Sequence, residues 1–400
     1  MLPFARMLEY GNVIVKSKIK HVVNSSSGTY FILLDDGTLW GGGNNADGQV
    51  GVGNTTTQIQ KLNLIRNDVR LVDIINNISV IVTTDNRIKF SGSSVAYNGN
   101  STKVTDWQDI TDTRFSTVDV SKIIKIYAAN WICALTSDGN LYSTGYNNMG
   151  NIGNGTTVAY NATTPYLTSS NVKDMYIDGN HTYYIKTNGE IWGCGNNGYG
   201  ATYSVDVTNT SNQQGYPIPT PQQMFKTLPP FDFTQDIFLG QQRSAYIMRG
   251  TGLVSNACGS PGYGEIGLGY NASATYGVLS PNGNSTFPEN PKVGISNTST
   301  STRFYVSTNN KLYSVGYNYN GTCSTGSTNP TNAPVSTLTD VSSNFPGSIS
   351  EIIGISSNTS NTYVWTENDI YYCGSNTSVM TPEFGLTGNT LTLTKITLPF

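Results

Sequence analysis

The chain has 400 residues, with 22 Lys and Arg against 25 Asp and Glu, a net charge of −3 and only 12% charged residues. A chain so poor in clustered cations is not built to track nucleic-acid phosphates, and no run of eighteen apolar residues is present to span a membrane. The start, Met1-Leu2-Pro3-Phe4-Ala5-Arg6, lacks the apolar stretch of a secretory signal. Gly, Asn, Thr, Ser and Tyr are abundant, yet apolar and aromatic residues recur in register with turn residues, so the chain can bury a core.

In chain order, an irregular lead over residues 1–20 precedes strand-like apolar runs within Asn12–Val23, and its apolar residues call for a docking partner. A β-hairpin follows, turning at Asp36-Gly37 and running into Leu39-Trp40-Gly41-Gly42-Gly43-Asn44-Asn45. The unit repeats with turns at Asp85-Asn86, Asp138-Gly139, Asn188-Gly189, Asn309-Asn310 and Asn368-Asp369, residue types that accept the positive φ of tight hairpins. The copy around Gly252 lacks a clean turn. Each unit carries one signature glycine, namely Gly43, Gly92, Gly145, Gly195, Gly259, Gly316 and Gly374, at intervals of roughly 50 to 65 residues.

Four residues before the glycine stands Leu39, Ile88, Leu141, Ile191, Leu312 or Ile370, with Ser255 as the exception, and these side chains are expected in a shared core. Five residues after it a second glycine recurs (Gly48, Gly150, Gly200, Gly264, Gly321), and then a third (Gly51, Gly153, Gly267), which marks a fixed loop path. No Lys-Ser or Lys-Thr pair or following helix turns these loops into phosphate cradles. The stretch Thr202–Gln235, rich in Thr, Asn, Gln and Pro, reads as an extended rim insertion and the first place to look for binding. The last strand-like run is Leu391–Leu398; joined with an N-terminal strand, it is expected to close one shared blade.

On these residues the chain resembles the regulator of chromosome condensation repeat family, best over Leu34–Asn54, where Asp36-Gly37-Thr38-Leu39-Trp40 leads through Gly43-Asn44-Asn45 to Gly48-Gln49-Val50-Gly51. The resemblance implies an all-β fold, a seven-bladed β-propeller of four-stranded blades with N/C-terminal strand closure, forming a single domain over residues 21–400. The best-known member of that family is a guanine-nucleotide exchange factor for a small nuclear GTPase. Of the histidines that family repeats carry at the start of the second strand, only His181 is matched here; Thr29, Trp131, Thr302 and Ser360 stand at the equivalent places.

Nothing points to catalysis, a metal or a cofactor. His21 and His181 stand in unrelated contexts, Asp35 and Asp36 fit a hairpin turn, and no Asn-rich loop has the ligand order of a calcium loop. Cys194, Cys258 and Cys373 occupy the small-residue slot before the signature glycine and, with Cys133 and Cys323, read as buried free thiols. The basic stretch Lys16-Ser17-Lys18-Ile19-Lys20 reads as a solvated strand face. Tyr146, Tyr199, Tyr263, Tyr317 and Tyr319, in the loops after the signature glycines, are the candidate contact residues. The leading expectation is a non-enzymatic structural propeller of a bacteriophage or other virion, in tail, fibre or capsid-associated position, contacting other virion or surface proteins and host glycans. The alternatives are a secreted or cell-surface glycan-binding adhesin and an intracellular exchange factor or scaffold.

Overall fold

The computed structural model describes residues 8–10, 13–15, 17–93, 102–160, 163–177, 180–197, 217–226, 229–240, 244–248, 254–259, 278–279, 291–295, 302–328, 335–358, 360–375 and 388–398. Runs rich in β-branched and aromatic residues, cut by Asp-Gly and Asn-Gly turns, give antiparallel strands throughout. Blade 1 is typical: Ile19–Asn24, Thr29–Leu34, Leu39–Asn44 and Gln58–Arg66 pair in that order from inside to outside. Further sheets of the same order span residues 69–109, 123–169, 172–224, 237–279, 291–340 and 354–396, and are numbered blades 2 to 7. First strands of neighbouring blades touch at six of the seven junctions, the one between blade 7 and blade 1 included, and between blades 3 and 4 the second strand of blade 3 makes the contact, so the first strands line the axis of a closed ring. A small ribbon, Leu8–Tyr10 with Val13–Val15, stands apart from the seven sheets.

Three expectations need correction. The blades are not seven equivalents: among the described residues six are full, with no strand shorter than four residues, whereas the described outer strand of blade 5 is Val278–Leu279, paired to Ala257 and Cys258. Nor do the chain ends share a blade, because blade 1 is built wholly from residues 19–66 and blade 7 wholly from 354–396. The segment Thr202–Gln235 is not all loop, since Pro217–Met224 is the outer strand of blade 4.

The ring closes instead through side chains, as any neighbouring pair of blades meets. The buried Asn24 amide donates to Asn361 Oδ1 at 2.8 Å, Ser356 Oγ donates to Asn24 Oδ1, and Asn358 Nδ2 reaches the Ser25 carbonyl at 2.7 Å. One backbone bond crosses the seam, from the Ile19 amide to the Glu367 carbonyl at 2.7 Å. Beneath these, Ile19, Val22, Tyr30 and Ile32 of blade 1 pack on Tyr363, Trp365, Ile370 and Tyr372 of blade 7 in one buried cluster.

The core is likewise divided among the blade interfaces. Leu39, Ile88, Leu141, Ile191, Leu312 and Ile370 are all at most 3% exposed. They belong to six different clusters, most of them bridging two adjacent blades. A propeller has no single centre to fill; each sheet buries its two faces against its neighbours.

The signature glycines end the third strands opposite the first residue of the second strand, as Gly195 does against His181. Gly195 has φ +120°, and a Cβ there would stand 2.3 Å from the Asn180 carbonyl oxygen. Gly195→Ala is therefore expected to cost several kcal/mol, roughly 1–3 for the backbone conformation plus the collision. At Gly53, φ is +79° with nothing within 4 Å, so Gly53→Ala loses only about 1–2 kcal/mol. Urea denaturation of both variants measures the difference. Asn24→Ala strands Asn361 and Ser356 at the ring seam and is expected to cost about 1–3 kcal/mol, with faster amide hydrogen exchange at Ile19.

Candidate functional site

Two surfaces carry side chains not consumed by the fold. The first is the rim where third strands end. In blade 3 the loop after Gly145 is pinned by the buried Asn147, whose Oδ1 accepts from the Ile152 amide at 2.9 Å and whose Nδ2 donates to the Thr156 carbonyl at 2.8 Å. Asn45 in blade 1 and Asn318 in blade 6 make the same bonds, to Val50 and Asn54 and to Cys323 and Ser327. Gly150 lets this loop touch the next blade, for a Cβ there would lie 2.5 Å from Pro219 Cα.

On these pinned loops Tyr146 is 37% and Tyr319 46% exposed. Tyr317 is half-buried and stacks on Tyr319 with ring centroids 6.3 Å apart, while its carbonyl accepts from Thr302 and Thr322. Tyr199 and Tyr263 lie outside the described residues, as does the φ of Gly259. The sequence reading missed Val158, which is 71% exposed beside Tyr146 on the blade 3 loop, held there by Asn147 Nδ2 on its carbonyl at 3.2 Å. Its only signal is an apolar residue in a Thr- and Asn-rich loop.

The second surface is the axial end of the first strands, which sits on the opposite face, beside the hairpin turns and blade connections. A β-bulge recurs near the start of the first strand in five blades, between Ile19 and His21, Val69 and Leu71, Ile123 and Lys125, Val172 and Asp174, and Pro291 and Val293. The extra residue is unpaired in the ladder and is turned out of it. A cavity of about 260 Å³ opens on the axial side of blades 1 to 3, lined among others by Lys20, His21, Arg70, Asp73, Lys125 and Tyr127.

Each polar group there has a defined state. Lys20 Nζ donates to the Arg70 carbonyl at 3.0 Å, and the Arg70 guanidinium donates to the carbonyls of Ile123, at 2.6 Å, and Val120. Burial alone pulls Arg70 below its ordinary pKa. Lys125 is answered by Asp174 at 2.5 Å. Asp73, fully enclosed, accepts from the Ala128 amide at 3.1 Å, and burial raises its carboxyl to about 7 despite that bond. His21 packs edge-on against Trp365, and burial, with the nearby charges of Lys125 and Lys20, lowers its imidazole to about 4.

Among the described residues no three His, Cys, Asp or Glu side chains converge as metal ligands. Cys133, Cys194, Cys323 and Cys373 are buried and unbridged, and burial raises all four thiols, Cys133 to about 11. Cys258 lies outside the residues whose side chains are described.

No protein-family model matches the sequence, and no curated protein is similar to it in sequence. Solved structures are similar in fold. Human WBSCR16 superposes with a TM-score of 0.65 at 15% identity over 88% of each chain. Prp20p of Saccharomyces cerevisiae, studied with its binding to Gsp1p and histones, gives 0.65 at 14% identity, covering 85% of this chain and 80% of that one. Yeast RCC1 (Prp20) bound to Kap60 gives 0.63 at 14% identity over 85% and 78%. At this identity the likeness is one of fold, a β-propeller.

The two buried groups of the cavity pull stability in opposite directions with pH. His21 titrates lower when folded than the ordinary 6.5, so its contribution is complete above about 6.5 and is lost as pH falls toward 4. Asp73 titrates higher when folded than the ordinary 3.8, so its contribution is complete below about 4 and is lost as pH rises toward 7. Each swing is on the order of 3–4 kcal/mol. In Asp73→Asn, unfolding free energy is expected to rise from pH 4 to 6.5, and in His21→Gln to fall over the same window. Guanidinium titrations at four pH values check both slopes.

Proposed function

We propose that the chain is a non-enzymatic propeller that binds a protein partner across the rim where the third strands end. The observation that carries this reading is the presentation of Tyr146, Val158 and Tyr319 on loops whose backbone is fixed by buried Asn side chains and by contact with the next blade. Large aromatic side chains held rigid lose little entropy on binding, which is the make-up of an interface anchor.

Among the roles considered, an exchange factor or scaffold has the better support, because structures of the same architecture include a Prp20p described by its binding to Gsp1p and histones and an RCC1 bound to Kap60. The virion component and the glycan-binding adhesin gain no support from these neighbours. Protein recognition also suits the composition, since a net charge of −3 and 12% charged residues leave little for long-range attraction to nucleic acid.

The test pairs two measurements on the full chain. Partners captured on the immobilised protein are identified and titrated against Tyr146→Ala/Tyr319→Ala, which is expected to weaken binding roughly thirtyfold, the scale of an interface hot spot, with unchanged thermal stability. In parallel, release of a fluorescent guanine nucleotide from small GTPases is timed with and without the chain. Acceleration lost in the double variant supports an exchange factor; capture without acceleration supports a scaffold. Capture that the two tyrosine changes leave intact would overturn the assignment of this rim.

A further inference from the structure

The five bulge residues of the first strands are Lys20, Arg70, Ile124, Lys173 and Lys292. Four of five are basic in a chain where Lys and Arg number 22 in 400, so the cations of an acidic protein are gathered at one structural position. That position repeats around the axis, because the first strands form the inner wall of the ring. Lys20, Lys173 and Lys292 are exposed. None of these four cations has a carboxylate at ion-pair distance among the described residues.

The cavity of about 260 Å³ beside them has room for a small ligand. Its other titratable walls add little opposing charge below neutral pH: Lys125 already holds Asp174, Asp73 is protonated there because burial raises its carboxyl to about 7, and His21 is neutral above about 4. Arg70 adds a buried Nε–H without an acceptor. Several cations away from the bulges are paired with carboxylates, as at Arg66 with Asp68 and Arg87 with Asp109. Here it spaces like charges around an opening, at a cost that an anion would relieve.

We propose that the axial mouth at blades 1 to 3 binds a compact polyphosphate anion through Lys20 and Arg70, with the other bulge-position lysines adding to the attraction. The charge is delivered by backbone register, so the site exists before the ligand arrives. Arg70 is tied to the carbonyls of Ile123 and Val120, which orients its remaining N–H, and Lys20 reaches over the same opening. Clustered phosphate is the chemistry recognised, in an inorganic polyphosphate or an organic ester.

Calorimetric titration of the full chain with tripolyphosphate and, separately, with ATP, at low ionic strength, tests this. One-site binding is expected, weakened about tenfold by Lys20→Ala, the scale of one charge-assisted bond. It should be unchanged by Lys311→Ala, which removes a distant lysine already paired with Asp340. Tighter binding of ATP would identify an organic ester as the ligand class, and tighter tripolyphosphate the inorganic anion. Arg70→Ala also strips two carbonyls of their donor and so mixes binding with stability; Lys20→Ala and Lys173→Ala, both changes at exposed residues, carry the decision. Absence of binding, or equal weakening by Lys311→Ala, would overturn the site as diffuse surface attraction.

Discussion

Between blades 1 and 2, 3 and 4, and 6 and 7, a loop carbonyl of one blade is met by a hydroxyl of the next, and these seams are built on that contact. Ser79 Oγ donates to the Gln49 carbonyl at 2.6 Å, Thr182 Oγ1 to Asn151 at 2.8 Å and Thr362 Oγ1 to Thr322 at 3.0 Å, each from the second strand of one blade to the loop of the blade before it. The carbonyl can be there only because the loop is fixed at both ends, by the glycines of positive φ and by the buried Asn that closes it. A hydroxyl buried without this acceptor would destabilise the interface by more than the bond contributes. The slot before the signature glycine follows from the same contact: Ser91, Cys194 and Cys373 donate to loop carbonyls at 2.6, 3.4 and 3.5 Å, so a small side chain with a weak or strong donor is what fits.

Closure then needs no special device. A linear stack of blades would leave one apolar face of its first and last members in water. Here blade 7 meets blade 1 with the same kind of mixed contact as any internal pair, apolar below and polar at the rim. A strand exchanged between the ends would have added ladder hydrogen bonds, but the Asn24, Asn361 and Ser356 network and the Ile19 to Glu367 bond hold the seam without it.

The parts of this architecture that were legible in the sequence are those where one residue type is demanded locally. A φ near +120° at Gly195 and Gly374 admits no other residue comfortably, and Asp-Gly and Asn-Gly turns demand the same freedom, so the hairpins could be counted. What the sequence concealed depends on register or on distant pairing. The partners of the last strand, Thr390–Ile396, are set by which edge it meets, and nothing in its composition distinguishes Ile370–Gly374 of its own blade from a strand near the N-terminus. Likewise Lys20 in Lys-Ser-Lys-Ile-Lys looks like a solvated strand face until the bulge at Ile19/His21 is aligned with Val69/Leu71 and Val172/Asp174. The candidate tyrosines were read from loop position alone, and exposure separates Tyr146 and Tyr319 from the supporting Tyr317.

The two faces of the ring therefore differ for a structural reason. Where the third strands end, the loops of blades 1, 3 and 6 bond the next blade, and Tyr146, Val158 and Tyr319 are the large apolar side chains that the described loops leave exposed. Where the first strands begin, a bulge expels one residue from the ladder in five blades, and Lys20, Ile124, Lys173 and Lys292 are exposed there while Arg70 is half-buried. Unconstrained positions ordinarily drift toward the mean composition of the chain, which here is slightly acidic. Lys20, Arg70, Lys173 and Lys292 stand there instead, four cations at one register position around the axis, and the proposed anion site rests on that placement together with the hydrogen bonds that orient Arg70 and Lys20.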